Sequence, residues 1–108
     1  MKYGNRKTIV GNLTFDSKKE ARRYIELCLL ERAGKIRDIS LQVPFELIPA
    51  QKDEKGKTIE RAVTYRADFT YWENGSFIVE DAKGFRTEVF KIKKKLMLWR
   101  HGIRVKEV

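Results

Sequence analysis

Apolar and polar positions change their spacing several times along this chain, and each change marks an element. In "ISLQVPFELI" the residues Ile39, Leu41, Val43, Phe45 and Leu47 fall at every second position, the period of a strand with one buried face. Pro44 lies inside that run and predicts an edge strand or a bulge, because proline donates no ladder hydrogen bond. "SKKEARRYIELCLLERAG" has helical spacing instead. Ala21, Tyr24, Leu27 and Cys28 are expected to face inward, and Lys18, Lys19, Arg22 and Arg23 outward. Ser17 and Glu20 fit a capping box at its start, and Gly34 supplies the stop. Before it, "TIVGNLTF" reads as a short strand or tight hairpin turning at Gly11-Asn12.

"PAQKDEKGKTIE" is polar throughout and reads as a loop. Two strands follow, from about residue 61 to 73 and from 76 to 83, joined by Asn74-Gly75, whose residues tolerate the positive φ of a two-residue hairpin. Thr87 is the expected N-cap of a second helix, "EVFKIKKKLMLWRHG", which Gly102 ends. Val89, Ile92, Leu96 and Trp99 form its predicted buried stripe, and Lys91, Lys94 and Lys95 share another arc. Phe90 and Met97 lie off that stripe, as a dimer surface or under the N-terminal β element. "IRVKEV" alternates as a last strand. The order is α-β-β-β-α-β behind a small β element, in a single domain spanning 1–108, and the crossover helix sets the last strand parallel to the third.

The hairpin register carries the first chemical hint. A two-residue loop pairs Glu73 with Ser76, and counting back sets Asp68 directly opposite Asp81, about 5 Å apart on one face. Lys83 points to that face, opposite Arg66, while Glu80 must point to the other. Two facing carboxylates repel, and their ionised forms need compensation where hydration is poor. A hard divalent cation, magnesium or manganese, would provide it. An ion network with Arg66 and Lys83 is the purely structural alternative.

Composition narrows the setting. Hydrophobic residues make up 42% of 108 positions, enough for a packed core. The single cysteine, Cys28, permits no internal disulfide and reads as a buried inert thiol. The polar, basic N-terminus and the lack of long apolar runs suggest a soluble intracellular protein. The net charge of +9 is uneven, with +7 between Lys83 and Val108 and only +2 before it. That skew points to a polyanionic partner, nucleic acid first. His101, the lone histidine, sits at a helix end and reads as a terminal charge or surface residue. Tyr65, Tyr71 and Trp72 read as packing residues.

Asp68, a turn, and then Asp81-Ala82-Lys83 on the third core strand resemble the PD-(D/E)XK nuclease superfamily. "FDSKKEARRY", "YRADFTY" and "VEDAKG" look like a phage-associated family of small presumed nucleases in its Holliday-junction-resolvase-like branch. Ala67 stands where the superfamily's proline often is. The resemblance implies a restriction-endonuclease-like core and Mg²⁺- or Mn²⁺-dependent hydrolysis of DNA, leaving a 5′-phosphate. Asp68 and Asp81 would bind the metal with the Ala82 carbonyl, Glu20 would complete the site or serve only as a helix cap, and Lys83 would orient the attacking water. Lys91, Lys94, Lys95 and Arg86 would contact phosphates. A resolvase requires a homodimer, since it cuts two strands symmetrically. A general or nicking endonuclease and an inactive DNA-binding accessory domain are the alternatives. A cytoplasmic location, that of the host if the chain is phage-encoded, would follow.

Overall fold

The computed structural model describes residues 7–82 and 85–108. β1 (Thr8–Val10) and β2 (Leu13–Phe15) form the expected tight hairpin, turning at Gly11 with φ of 60°. α1 (Lys18–Arg32) begins at Ser17, whose hydroxyl accepts the Glu20 N–H at 3.1 Å, a cap worth about 1 kcal/mol. β3 (Arg37–Ile48) follows. The polar stretch after it is not a plain loop: β4 (Gln51–Lys52) and β5 (Thr58–Glu60) pair as a small exposed hairpin. Their side chains are fully polar apart from Ile59, so hydrophobic patterning gave no sign of them.

β6 (Val63–Glu73) and β7 (Ser76–Asp81) form the central hairpin, with Asn74 and Gly75 at φ of 50° and 79° in the turn. α2 (Glu88–His101) runs from Thr87, whose hydroxyl accepts the Phe90 N–H, to Gly102 at φ of 66°. That left-handed cap lets the Gly102 and Ile103 N–H groups close on the Leu98 and Met97 carbonyls. β8 (Lys106–Glu107) then pairs parallel with β7, as the crossover requires. The main sheet runs β3-β6-β7-β8, antiparallel except for β8, so Pro44 does lie on an edge strand. The protein is α/β, with one mixed sheet and two helices. Among the described residues no helix is long and apolar enough to cross a membrane.

Each helix covers its own apolar cluster. Leu27 and Ala21 of α1 pack with Phe15, Ile36, Phe69 and Tyr71; Phe90 and Met97 of α2 pack with Leu47, Tyr65, Ala67, Val79 and Val105. The phase of α2 is thus shifted from the predicted one, and of the expected stripe only Leu96 packs against this cluster. Phe90 and Met97 are buried against the sheet rather than under the N-terminal hairpin, whereas Val89, Ile92 and Trp99 face solvent. Arg23 also departs from expectation. It turns inward, and Nε and Nη2 donate to Glu80 at 2.7 and 2.9 Å.

Candidate functional site

The site grows out of an irregularity in two neighbouring strands. Ile39 and Leu41 of β3 pack into the α1 cluster, but Phe45 and Leu47, at the same parity, belong to the α2 cluster. β6 does the same: Tyr65 and Ala67 lie under α2, Phe69 and Tyr71 under α1. A regular strand keeps same-parity residues on one face, so both strands turn over between these pairs. The turning points are Gln42, with φ of 51°, and Asp68, and the register skips that pair between Leu41–Phe69 and Val43–Ala67. Strict alternation along residues 39–47 therefore misassigned half of the face.

β6 and β7 pair in the expected register from Glu73–Ser76 to Phe69–Glu80. The next step would set Asp68 against Asp81, and there the ladder ends. Asp68 Oδ2 instead accepts the Ala82 N–H at 2.9 Å, so its carboxylate caps the end of β7. Asp81 is fully buried and its Oδ2 accepts the Tyr65 hydroxyl at 2.6 Å. Burial first, then the hydrogen bond to Asp81 and the charges of Asp81 and Asp68, push the Tyr65 hydroxyl well above the ordinary tyrosine value. Tyr65 therefore remains a donor throughout the neutral range, and both carboxylates lie close enough to act on it.

Glu20 comes to the same region from the first turn of α1, with its side chain buried. The Gln42 amide lies 3.4 Å from both Glu20 Oε1 and Asp68 Oδ1 and bridges helix and strand. Gln42, Glu20 and Asp16 share the lining of a hollow of about 350 Å³ with Phe15 and Leu41. Sequence reasoning missed Gln42. Its only signal, a polar residue at an outward position of an alternating strand, is what any solvent-facing residue shows.

Glu80, adjacent to Asp81 and equally buried, faces the opposite way. Arg23 holds it in a two-pronged ion pair, and the Tyr71 hydroxyl donates to its Oε1 at 2.6 Å. Burial, and then the bond to Glu80, raise the Tyr71 hydroxyl; the same carboxylate raises the Arg23 guanidinium. The group is closed on itself, which fits the sequence reading that Glu80 stands outside the site.

Arg86, Lys91, Lys94 and Lys95, the four expected phosphate contacts, line one hollow of about 310 Å³ together with Arg104. Arg104 carried no sequence signal, since it comes from the segment after Gly102 and only the fold brings it to α2. Three of these cations have internal partners: Lys91 pairs with Glu88 at 2.8 Å, and Arg86 and Lys94 both pair with Glu107. The bond to Lys94 is the main cause that lowers the Glu107 carboxyl below the usual glutamate value. His101 clasps α2 to β3, with Nε2 at 2.7 Å from the Glu46 carbonyl and its ring edge-on to Phe45.

Of the predicted site residues, Asp68, Asp81, Ala82 and Glu20 are thus gathered at one end of the sheet, and the four cations form a separate groove. Lys83 lies outside the described residues. Among the described residues no three His, Cys, Asp or Glu side chains form a ready-made metal cage. No curated protein and no solved structure matches the chain. Residues 1–106 match a family described as a protein of unknown function, DUF1064, and the chain belongs to that family.

Proposed function

We propose that the protein is a metal-dependent DNA endonuclease on a restriction-endonuclease-like core, acting on branched DNA such as a Holliday junction during phage recombination or DNA processing. The observation that carries this reading is the meeting of Asp68 and Asp81 where the β6–β7 ladder ends, each held by a donor from the neighbouring strand. The order α1-β3-β6-β7-α2-β8 around them supports it, as does the separate groove of cations.

The donor set suits a hard divalent ion. Magnesium commonly uses one or two carboxylates and completes its shell with waters and phosphate oxygens, so two aspartates suffice. Asp68 and Asp81 would hold it with the Ala82 carbonyl, and Glu20 would join directly or through a water. A bound Mg²⁺ or Mn²⁺ would act as a Lewis acid at the scissile phosphate and lower the pKa of a water. The chain's own part is orientation. Tyr65 fixes Asp81, while the Ala82 N–H and the Gln42 amide fix Asp68, the role such outer partners play around metal ligands. Lys83 is assigned to orienting the attacking water and offsetting charge on the phosphate. Arg86, Lys91, Lys94, Lys95 and Arg104 would position the backbone without reading sequence.

The test is a cleavage panel of four-way junction, linear duplex and nicked DNA with Mg²⁺, Mn²⁺ or EDTA. Metal-dependent junction cleavage is expected, with Lys83→Ala slower by about 10²–10³-fold. Metal-dependent nicking of duplex by a monomer would replace the resolvase reading with that of a general endonuclease. DNA binding without cleavage in any metal would leave only an accessory domain.

A further inference from the structure

α2 is apolar on two sides, and the second is used only in part. Phe90 and Met97 serve the core. Val89, Ile92, Leu96 and Trp99 form a second line, of which Leu96 packs partly against that core while Val89 is 61%, Ile92 56% and Trp99 80% exposed. Their spacing of three, four and three residues is that of the a and d positions of a coiled-coil seam. The line continues into a hollow of about 570 Å³ lined by Leu47, Ile48, Pro49, Leu96, Trp99 and Arg100. Together they make an apolar surface that ends in a groove beside the C-terminal part of α2, on a different side of the helix from the basic hollow.

Size and charge decide what fits it. Trp99 alone presents about 200 Å², and the whole line is on the order of 400 Å², the scale of functional patches on monomers. A stable dimer needs about 800 Å² from each partner, so the groove is small for a second copy. The flanking e and g positions are Lys93, Arg100, Lys95 and Glu88. Glu88 is engaged by Lys91, whereas Lys93 and Lys95 make no ion pair among the described residues. Arg100 is likewise engaged, by Glu46 at 3.0 Å and by the Leu47 carbonyl, so the uncompensated charge beside the seam is that of Lys93 and Lys95, which an acidic partner complements and a second copy does not.

We propose that this groove docks an acidic amphipathic helix of a partner protein, with apolar residues on the seam and Glu or Asp on its flanks. Helix-in-groove recognition uses this arrangement of anchors. The reading does not rest on the nuclease proposal, although Lys95 borders both this surface and the basic hollow.

The probe is a 21-residue helical peptide with Leu at a and d and Glu at e and g. Its controls are a twin with Lys at e and g and one with Ser at a and d. Binding is followed through the two indole N–H resonances by NMR, with sedimentation run in parallel. The acidic peptide should move the Trp99 signal and bind at least tenfold more tightly than either control, with the margin over the Lys twin shrinking in high salt. Ile92→Ser and Trp99→Ser should each weaken it at least tenfold without lowering the thermal midpoint. Equal binding of the Glu and Lys peptides, or no movement at Trp99, overturns the proposal. So does a wild-type dimer that Trp99→Ser converts to monomer, or duplex DNA that shifts Trp99 and displaces the peptide.

Discussion

Glu80 and Asp81 are neighbours, both fully buried, yet they should answer the same isosteric change in opposite ways. Glu80→Gln removes the charge from a two-pronged pair with Arg23, whose side chain is 18% exposed, and leaves the guanidinium poorly compensated. Breaking a fully buried pair costs about 3–5 kcal/mol, and hydrogen bonds to charged groups are worth about 1.5–3. Arg23 keeps some hydration, so about 2–4 kcal/mol is expected. At roughly 4 °C or more per kcal/mol for a domain of this size, the thermal midpoint should fall by about 10 °C or more. Asp81→Asn keeps an oxygen for the Tyr65 hydroxyl and removes one of two negative charges that act on the same region. Stability in metal-free buffer should then stay level or rise by up to about 1 kcal/mol. Thermal melts with EDTA and with magnesium separate the two. Magnesium should raise the midpoint of wild type and of Glu80→Gln but not of Asp81→Asn, since only a protein that binds the ion gains from it. If Asp81→Asn costs as much as Glu80→Gln and magnesium leaves wild type unmoved, Asp68 and Asp81 belong to a structural network and the metal reading fails.

Three further outcomes follow from particular groups. Gln42→Gly relieves a left-handed φ worth about 1–2 kcal/mol while adding about 0.5–1 of chain entropy to the unfolded state. Gln42→Ala deletes the same amide bridge to Glu20 and Asp68 without relieving the φ, so chemical denaturation should show the Gly variant the more stable of the two by up to about 1.5 kcal/mol, while manganese titration shows weaker binding by both; a Gly variant less stable than the Ala variant would refute the strain. Tyr65 and Tyr71 have hydroxyls raised above the unfolded value of 10. Their contribution to stability is present below pH 10 and lost as pH rises beyond it, so absorbance at 295 nm should show these two of the four tyrosines ionising only with unfolding. Glu107 is depressed below its unfolded value of about 4.5, so its contribution is present above that pH and lost as pH falls through the folded value. Glu107→Gln should melt earlier than wild type at pH 7, with the gap closing in acid. The same variant frees Arg86 and Lys94 and should bind duplex DNA more tightly, with a steeper salt dependence.

What the sequence could reveal was whatever depends on near neighbours. Caps at Ser17 and Thr87, the turn at Asn74-Gly75 and the parallel return of β8 follow from local chemistry and short connections, and all are present. The phase of α2 was not available in this way. Four apolar residues at seam spacing outnumber Phe90 and Met97, and periodicity alone cannot tell a stripe that meets the sheet from one that meets water or a partner. The sheet offers α2 a narrow strip formed by Tyr65, Val79 and Val105, which Phe90 and Met97 fill with Leu96 at its margin. Arg23 was likewise sorted by type, although its long side chain could reach across to Glu80.

The turnover at Gln42 and Asp68 lies deeper. Alternation assumes that a strand presents one face along its whole length, yet β3 and β6 each serve two clusters covered by different helices. Such a strand must rotate somewhere, and the residue at the rotation belongs to neither face. Asp68 is that residue in β6, which is why its carboxylate can reach the end of β7 rather than settle into a core. Its opposite number, Gln42, adopts a φ of 51° to match and so brings its amide to Glu20 as well. The backbone irregularity and the gathering of polar groups are one feature, since each strand can pass from one helix to the other only by turning a side chain out of both cores at the same level.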